Sequence, residues 1–351
     1  MRARYHAAAS LVKRAREALS SRSMIVRLPL GTRLAGRYVL EDLLGEGGMG
    51  SVYAARDTRT GSAVALKVLR PDLADDDDAV RRFAREAYSA AQVRHPRIVA
   101  LLDTGVDPIG VPFLVYELVV GESLRARIQR EGTLNAAVAV DFCLAMLDAL
   151  AAAHAAGIVH RDVKPSNVLL ATDAQGNVEA RVIDFGISKS LSSPELWTRV
   201  TSTGEIVGTA QYMSPEQARG KEEVDARTDV WSAGAVLYEM LSGRPPYEAR
   251  TATQTILKIL TQEPPLLASI APELPPELVI VVHRALARDR ERRWPSAAAF
   301  REALARNRPR LSTVVRLEDA TPDERATIPG FRDDPATDVV PLVGRTQRDP
   351  E

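Results

Sequence analysis

The run Gly45-Glu46-Gly47-Gly48-Met49-Gly50-Ser51-Val52, with Leu44 before it, spaces glycines as G-x-G-x-x-G-x-V. Glycines let a backbone come close to phosphate oxygens and aim amide N–H groups at them. Dinucleotide-binding folds and ordinary hairpins use similar spacings, but here Val52-Tyr53-Ala54 reads as a strand where a dinucleotide site needs a helix. Lys67 ends Val64-Ala65-Leu66-Lys67, an otherwise apolar strand, where an ammonium needs a partner or ligand to offset desolvation. An edge lysine reaching solvent is the plainer alternative. Glu86, beside the apolar face of the following helix, is a partner within reach, against the plainer pairing with Arg82 one turn earlier. The sharpest signal is His160-Arg161-Asp162-Val163-Lys164-Pro165-Ser166-Asn167, followed by a strand, a Gly176-Asn177 hairpin and Val182-Ile183-Asp184-Phe185-Gly186. Chance is a poor account of Asp162, Lys164, Asn167 and Asp184 in that order.

The elements that must position these groups follow from periodicity. Short strands are expected at Tyr38–Leu40, Val52–Ala54, Val64–Val68, Ile98–Asp103 and Phe113–Glu117, an antiparallel signature broken by glycine turns. One helix, N-capped by Asp78, carries Val80, Phe83, Ala84, Ala87 and Ala91 at helical spacing. After Gly121 the pattern turns helical: Leu124–Glu131, Asn135–Ala156 closed by Gly157, then Ser214–Arg219, Asp229–Ser242, Thr251–Leu260, Glu277–Ala287 and Ala297–Asn307, punctuated by prolines. A small β lobe therefore precedes a larger α lobe.

With these motifs in order and in context, the chain resembles the eukaryotic-type (Hanks-type) bacterial serine/threonine protein kinases over roughly residues 36 to 305. The matching motifs include Gly208-Thr209, Ser214-Pro215-Glu216, Asp229-Val230-Trp231-Ser232 and a late Arg293. The resemblance implies an α+β bilobal protein-kinase fold, with a small lobe over 36–119 and a large lobe over 120–305. It implies ATP with Mg2+, Mn2+ being an alternative, and transfer of the γ-phosphate to Ser/Thr hydroxyls of proteins. By the same resemblance Leu44, Gly45, Glu46, Gly47, Gly48, Met49, Gly50, Ser51 and Val52 cover the nucleotide, and Val52 and Ala65 sandwich the base. The hinge Glu117-Leu118-Val119 offers backbone hydrogen bonds to adenine, and Tyr116 guards the back of the pocket. Lys67, paired with Glu86, holds the α- and β-phosphates; Asn167 and Asp184 ligate the metal; Asp162 accepts the substrate proton; Lys164 stabilises the transferred group.

Lys164 two residues after Asp162, and Thr209, both match the serine/threonine class. Arg161 beside Asp162 implies control by activation-segment phosphorylation, with Thr201 and Thr203 at the positions of autophosphorylation. Glu216 and Arg293 form a structural ion pair, and Asp229 holds the catalytic loop. Leu66, Ser214 and Arg290 depart from the usual family residues without removing a catalytic atom. Intact Lys67, Asp162, Asn167 and Asp184 argue against a pseudokinase scaffold. The threonine-bearing segment and Ser214-Pro215-Glu216 argue against a small-molecule phosphotransferase.

Composition bounds the partners. In 351 residues, 46 Lys+Arg balance 46 Asp+Glu, so no global charge points to nucleic acid or an anionic membrane. The longest apolar run, Val138–Ala153, is broken by Asp141 and Asp148, so no membrane span and a cytoplasmic location are expected. The single cysteine, Cys143, falls in an apolar helical pattern that reads as a buried thiol. Residues 1–33 read as a basic, disordered extension, with Met24 a second candidate start, and 308–351 as a disordered polar tail. Thr321, Thr327 and Thr337 in that tail offer phosphothreonine ligands to a forkhead-associated domain, beside the plainer reading of a passive tail. Self-association for autophosphorylation in trans is a further expected partnership.

Overall fold

The computed structural model describes residues 27–308, apart from 75, 109, 174, 185–209 and 221–223. Its small lobe is an antiparallel sheet of six strands: β1 (Arg33–Leu34), β2 (Tyr38–Glu46), β3 (Gly50–Asp57), β4 (Ala63–Leu69), β5 (Leu101–Val106) and β6 (Pro112–Glu117). Their spatial order is β1-β2-β3-β4-β6-β5. Alternation along the strands gives the sheet two apolar faces. One buries Leu34, Tyr38, Leu40, Tyr53, Leu66 and Phe113; the other packs Leu69 and Leu114 against Val80, Phe83 and Ala87 of helix α1 (Asp77–Gln92).

The packed fold begins ahead of Gly36, where the sequence pattern places its start. Leu28 and Leu34 are buried in the outer small-lobe core, and β1 pairs with β2. Two neighbouring expectations shift as well. The α1 cap is Asp76, not Asp78: its carboxylate accepts from Asp78 N at 2.9 Å and Ala79 N at 3.3 Å, satisfying amides that the helix itself leaves open. Residues Ile98–Ala100 precede β5 instead of belonging to it, because Ile98 makes a parallel bridge to Val182 across the lobes.

In the large lobe, β7 (Gly121–Ser123), β8 (Val168–Thr172) and β9 (Val178–Val182) form a three-stranded antiparallel sheet. Around it lie α2 (Leu124–Glu131), α3 (Ala136–Ala155), α4 (Pro215–Ala218), α5 (Arg227–Ser242), α6 (Ala252–Thr261), α7 (Pro276–Ala285) and α8 (Ala297–Ala305). Helix α5 is buried along nearly all its length and starts two residues earlier than Asp229, without a side-chain cap. Helix α3 is long and apolar enough to cross a membrane by length and composition, but more than half of it is buried within the fold. Cys143 sits on it, buried, and burial pushes its thiol pKa well up. Gly121 is dictated by close approach: at φ 149°, an added Cβ would lie 1.9 Å from Leu170 O, across the β7–β8 pairing.

Candidate active site

The cleft between the lobes collects side chains from four segments. Lys67 on β4 points its Nζ at Glu86 Oε1 of α1, 2.8 Å away, and at Asp184 Oδ1, 2.9 Å away. Tyr116 on β6 donates its hydroxyl to the same Glu86 oxygen at 3.1 Å. Burial works against the Lys67 ammonium, but Asp184 and Glu86 outweigh it and hold its pKa above the usual range. Burial raises the Glu86 carboxyl, partly countered by Lys67; burial also works to raise Asp184, yet the lysine keeps that carboxyl below its ordinary value.

Below the cleft, the loop from His160 to Asn167 is held from beneath. Asp229 on α5 accepts from His160 N and Arg161 N, both at 2.8 Å. Gln217 Nε2 donates to Arg161 O at 2.9 Å. These bonds hold Arg161 at φ 64°, a left-handed conformation that costs a non-glycine residue about 1 kcal/mol. Asp184 is likewise left-handed at φ 54°. The buried His160 accepts at Nδ1 from Asp162 N (3.2 Å), so its Nε2 carries the hydrogen donated to Ile183 O (3.0 Å). One ring thus bonds to the backbone of both Asp162 and the residue before Asp184.

Asp162 Oδ2 lies 3.0 Å from Lys164 Nζ. Asn167 Nδ2 donates to Asp162 O at 2.8 Å and to Asp162 Oδ2 at 3.2 Å, which turns its amide oxygen the other way. Ile183 N donates to Asn167 O at 3.0 Å, setting Asn167 beside Asp184. The donors brought together are therefore an amide oxygen and a carboxylate. That hard-oxygen pair suits a divalent cation that takes its remaining ligands from phosphates and water. Among the described residues there is no group of three His, Cys, Asp or Glu side chains that could hold a metal ion.

The glycine run divides by structural reason. An added Cβ on Gly50 would sit 2.3 Å from Val68 O, so the β3–β4 pairing requires that glycine. Gly45 has nothing within 4 Å, and Gly47 only Gly50 O at 4.0 Å, so no neighbour forces a glycine at either position. Leu44 is exposed, Met49 packs toward the α1 face, and Glu46 pairs with Arg27. Ser51 is buried; Val52, Ala65 and Val119 are half-buried. At the hinge, the Glu117 side chain is held by Arg181 and by Ala100 N at 2.7 Å, and its backbone N–H donates to Ala100 O at 3.0 Å. Glu216 and Arg293 form the expected pair.

A model of the protein kinase domain matches residues 38–305. The chain belongs to the protein kinase family. Members of that family use ATP with a divalent metal, on protein substrates. The chain is 43% identical over 272 residues to a probable serine/threonine-protein kinase of Streptomyces coelicolor, matching 77% of this chain and 39% of that protein. It is 42% identical over 279 residues to serine/threonine-protein kinase PknB of Mycobacterium tuberculosis, matching 78% of this chain and 43% of that protein. The chain thus spans about two fifths of the length of these curated relatives. The solved kinase domain of Mycobacterium tuberculosis PknI overlays with a TM-score of 0.62 at 29% identity, covering 80% of this chain and 99% of that one.

The expectations for Thr201, Thr203, Thr209, the tail threonines and residues 1–26 lie outside the described residues. Contacts with no signal in residue spacing are the Tyr116–Glu86 bond, Glu117–Arg181, Gln217–Arg161 and His154 Nε2 to Asp229 Oδ2 at 2.7 Å. Each joins positions far apart in the chain through side chains that, taken singly, read as ordinary polar residues.

Proposed function

We propose that this chain is a serine/threonine protein kinase that transfers the γ-phosphate of ATP to protein hydroxyls, with Mg2+ as the metal. The observation that carries the reading is Lys67 Nζ between Glu86 and Asp184, in the cleft that also presents Asp162, Lys164 and Asn167.

In this reading Lys67 shifts its third donor onto the α- and β-phosphates while Glu86 holds it in line. The glycine run from Gly45 to Gly50 covers the phosphates with backbone N–H groups, and the backbone of Glu117 to Val119 receives the base between Val52 and Ala65. Asp162 takes the proton of the attacking hydroxyl as its oxygen bonds to the γ-phosphorus and the bond to ADP breaks. Lys164 follows the charge on the transferred group from its place 3.0 Å from Asp162. Asn167 and Asp184 would hold the cation, which when bound neutralises phosphate charge.

Arg161 stands next in sequence to Asp162, and its Nε has no partner among the described residues although it is buried. A phosphate on Thr201 or Thr203 would supply one, which makes those threonines the proposed switch. Trans-autophosphorylation by a second copy and recognition of tail phosphothreonines by a forkhead-associated domain belong to the same proposal. The test is incubation of the purified protein with ATP and Mg2+ beside Asp162→Asn, with phosphosites mapped by mass spectrometry. Phosphate on Thr201 or Thr203 in the wild type alone is the expected result, with the variant at least about a hundred-fold slower. Clear ATP binding without incorporation by either protein would replace the kinase reading with a scaffold.

A further inference from the structure

We propose that the Tyr116 hydroxyl is a positioning group for phosphoryl transfer, a second tether that keeps Glu86 in place when Lys67 turns to the phosphates. The inference rests on the kinase reading above and adds to it, since the family resemblance gives Tyr116 only the back of the pocket.

The β4–β6 register sets Tyr116 opposite Ala65 and Leu114 opposite Lys67, so both side chains face α1. Tyr116 is packed with Leu69, Val80, Phe83, Ala87, Leu101 and Leu114, an apolar cluster in which a hydroxyl without an acceptor would be costly. Its acceptor is Glu86 Oε1, the oxygen that also receives Lys67 Nζ. Glu86 is therefore held by two donors from adjacent strands, and through it α1 is fastened to the sheet at two points.

The two donors differ in what else they serve. Lys67 is shared with Asp184 at 2.9 Å and, in the reaction, with phosphate. Among the described residues the Tyr116 hydroxyl makes no other hydrogen bond, and burial together with the Glu86 carboxylate raises its pKa well above the ordinary phenol value, so it remains a protonated donor. As nucleotide draws on the lysine, the phenol remains on the carboxylate and α1 does not drift. A phenylalanine keeps the ring in its apolar cluster and deletes only this tether. A turnover defect is expected to exceed any change in nucleotide affinity, because the alignment of Lys67 matters most as charge moves onto the leaving oxygen.

The experiment compares wild type, Tyr116→Phe, Glu86→Gln and the double variant in the full chain. It measures kcat and KM for ATP on a generic protein substrate, amide hydrogen exchange across Arg82–Ala90 and melting temperature. The expected result for Tyr116→Phe is a kcat lower by about five- to ten-fold, a KM for ATP within about two-fold and faster exchange in that segment, with melting little changed. In the Glu86→Gln background the same change should alter kcat by less than about two-fold, since the tether then has no ionised acceptor. Wild-type values of both kcat and exchange in Tyr116→Phe, or an undiminished kcat loss on top of Glu86→Gln, would overturn the tether. A wild type that transfers no phosphate would count against the kinase reading, and the exchange comparison would then decide the tether alone.

Discussion

Two of the buried charge clusters among the described residues are built on opposite plans. In the large lobe Arg293 meets Glu216 through two bonds, NH1 to Oε1 at 2.6 Å and NH2 to Oε2 at 2.8 Å. Its other N–H groups go to the carbonyls of Ala287, Arg227 and Arg288, and its guanidinium lies 5.0 Å from the Trp231 ring. One cation faces one anion and all five donors are used. In the cleft, Lys67 faces two carboxylates at 2.8 and 2.9 Å, and the Asp184 side chain keeps 37% of its surface exposed. That cluster sets one cation against two carboxylates and opens on solvent. Burial alone therefore does not separate a support from a reacting centre; charge balance and an open side do.

The largest effect should come from correcting the imbalance. Asp184→Asn leaves Lys67 and Glu86 as a balanced pair, so melting temperature should stay level or rise. Phosphoryl transfer should fall by roughly a thousand-fold, the scale of the several kcal/mol a bound metal supplies. A thermal scan beside a phosphate-incorporation assay reads both. A melting temperature that dropped along with activity would erase the distinction between the clusters.

Arg293→Ala should behave in the reverse way. Breaking a buried pair leaves Glu216 unpaired and several carbonyls without donors, at a cost of about 3–5 kcal/mol. For a domain of this size that is roughly 10 °C in melting temperature, measured by calorimetry. Activity per folded molecule, assayed well below the transition, should be reduced far less than in Asp184→Asn.

The sequence and the structure meet most closely where a local rule carries the information. Helix α2 occupies the residues expected, Leu124–Glu131, and Asn135 caps α3 with its side chain on Ala137 N. Asp162, Asn167 and Asp184 sit on loops, and Lys67 inside β4 and Glu86 on α1 meet them from the small lobe. The early start at Leu28 was hidden, because a two-residue strand has no periodicity and its burial depends on Tyr53, whose hydroxyl accepts from Leu28 N at 3.2 Å. Ile98 read as strand because it is apolar and β-branched; its actual partner, Val182, is a long-range choice that no window contains. Tyr116 read as a wall of the pocket, since nothing local to Val115-Tyr116-Glu117 says that its hydroxyl faces Glu86.

A weaker version of the saturated plan lies at His283 on α7, and it predicts a pH dependence with a definite sign. Its Nε2 accepts from Leu267 N at 3.0 Å, and its ring meets Tyr238 edge-on at 6.3 Å. Burial lowers the His283 pKa, with nearby Glu263 pulling the other way. The unfolded chain therefore takes up the proton first as pH falls, so this group's contribution is complete above about pH 6.5 and is lost below it. Protonation also removes the lone pair that Leu267 N uses. His283→Gln keeps an acceptor on the side chain without titrating, so its melting temperature should fall less than the wild type's between pH 7.5 and 5.5. The difference should be a few degrees, the scale of one net hydrogen bond of about 1 kcal/mol. Identical slopes for the two proteins would show that this site keeps its acceptor in acid. The saturated plan would then extend to groups that titrate as well as to the fixed charge of Arg293.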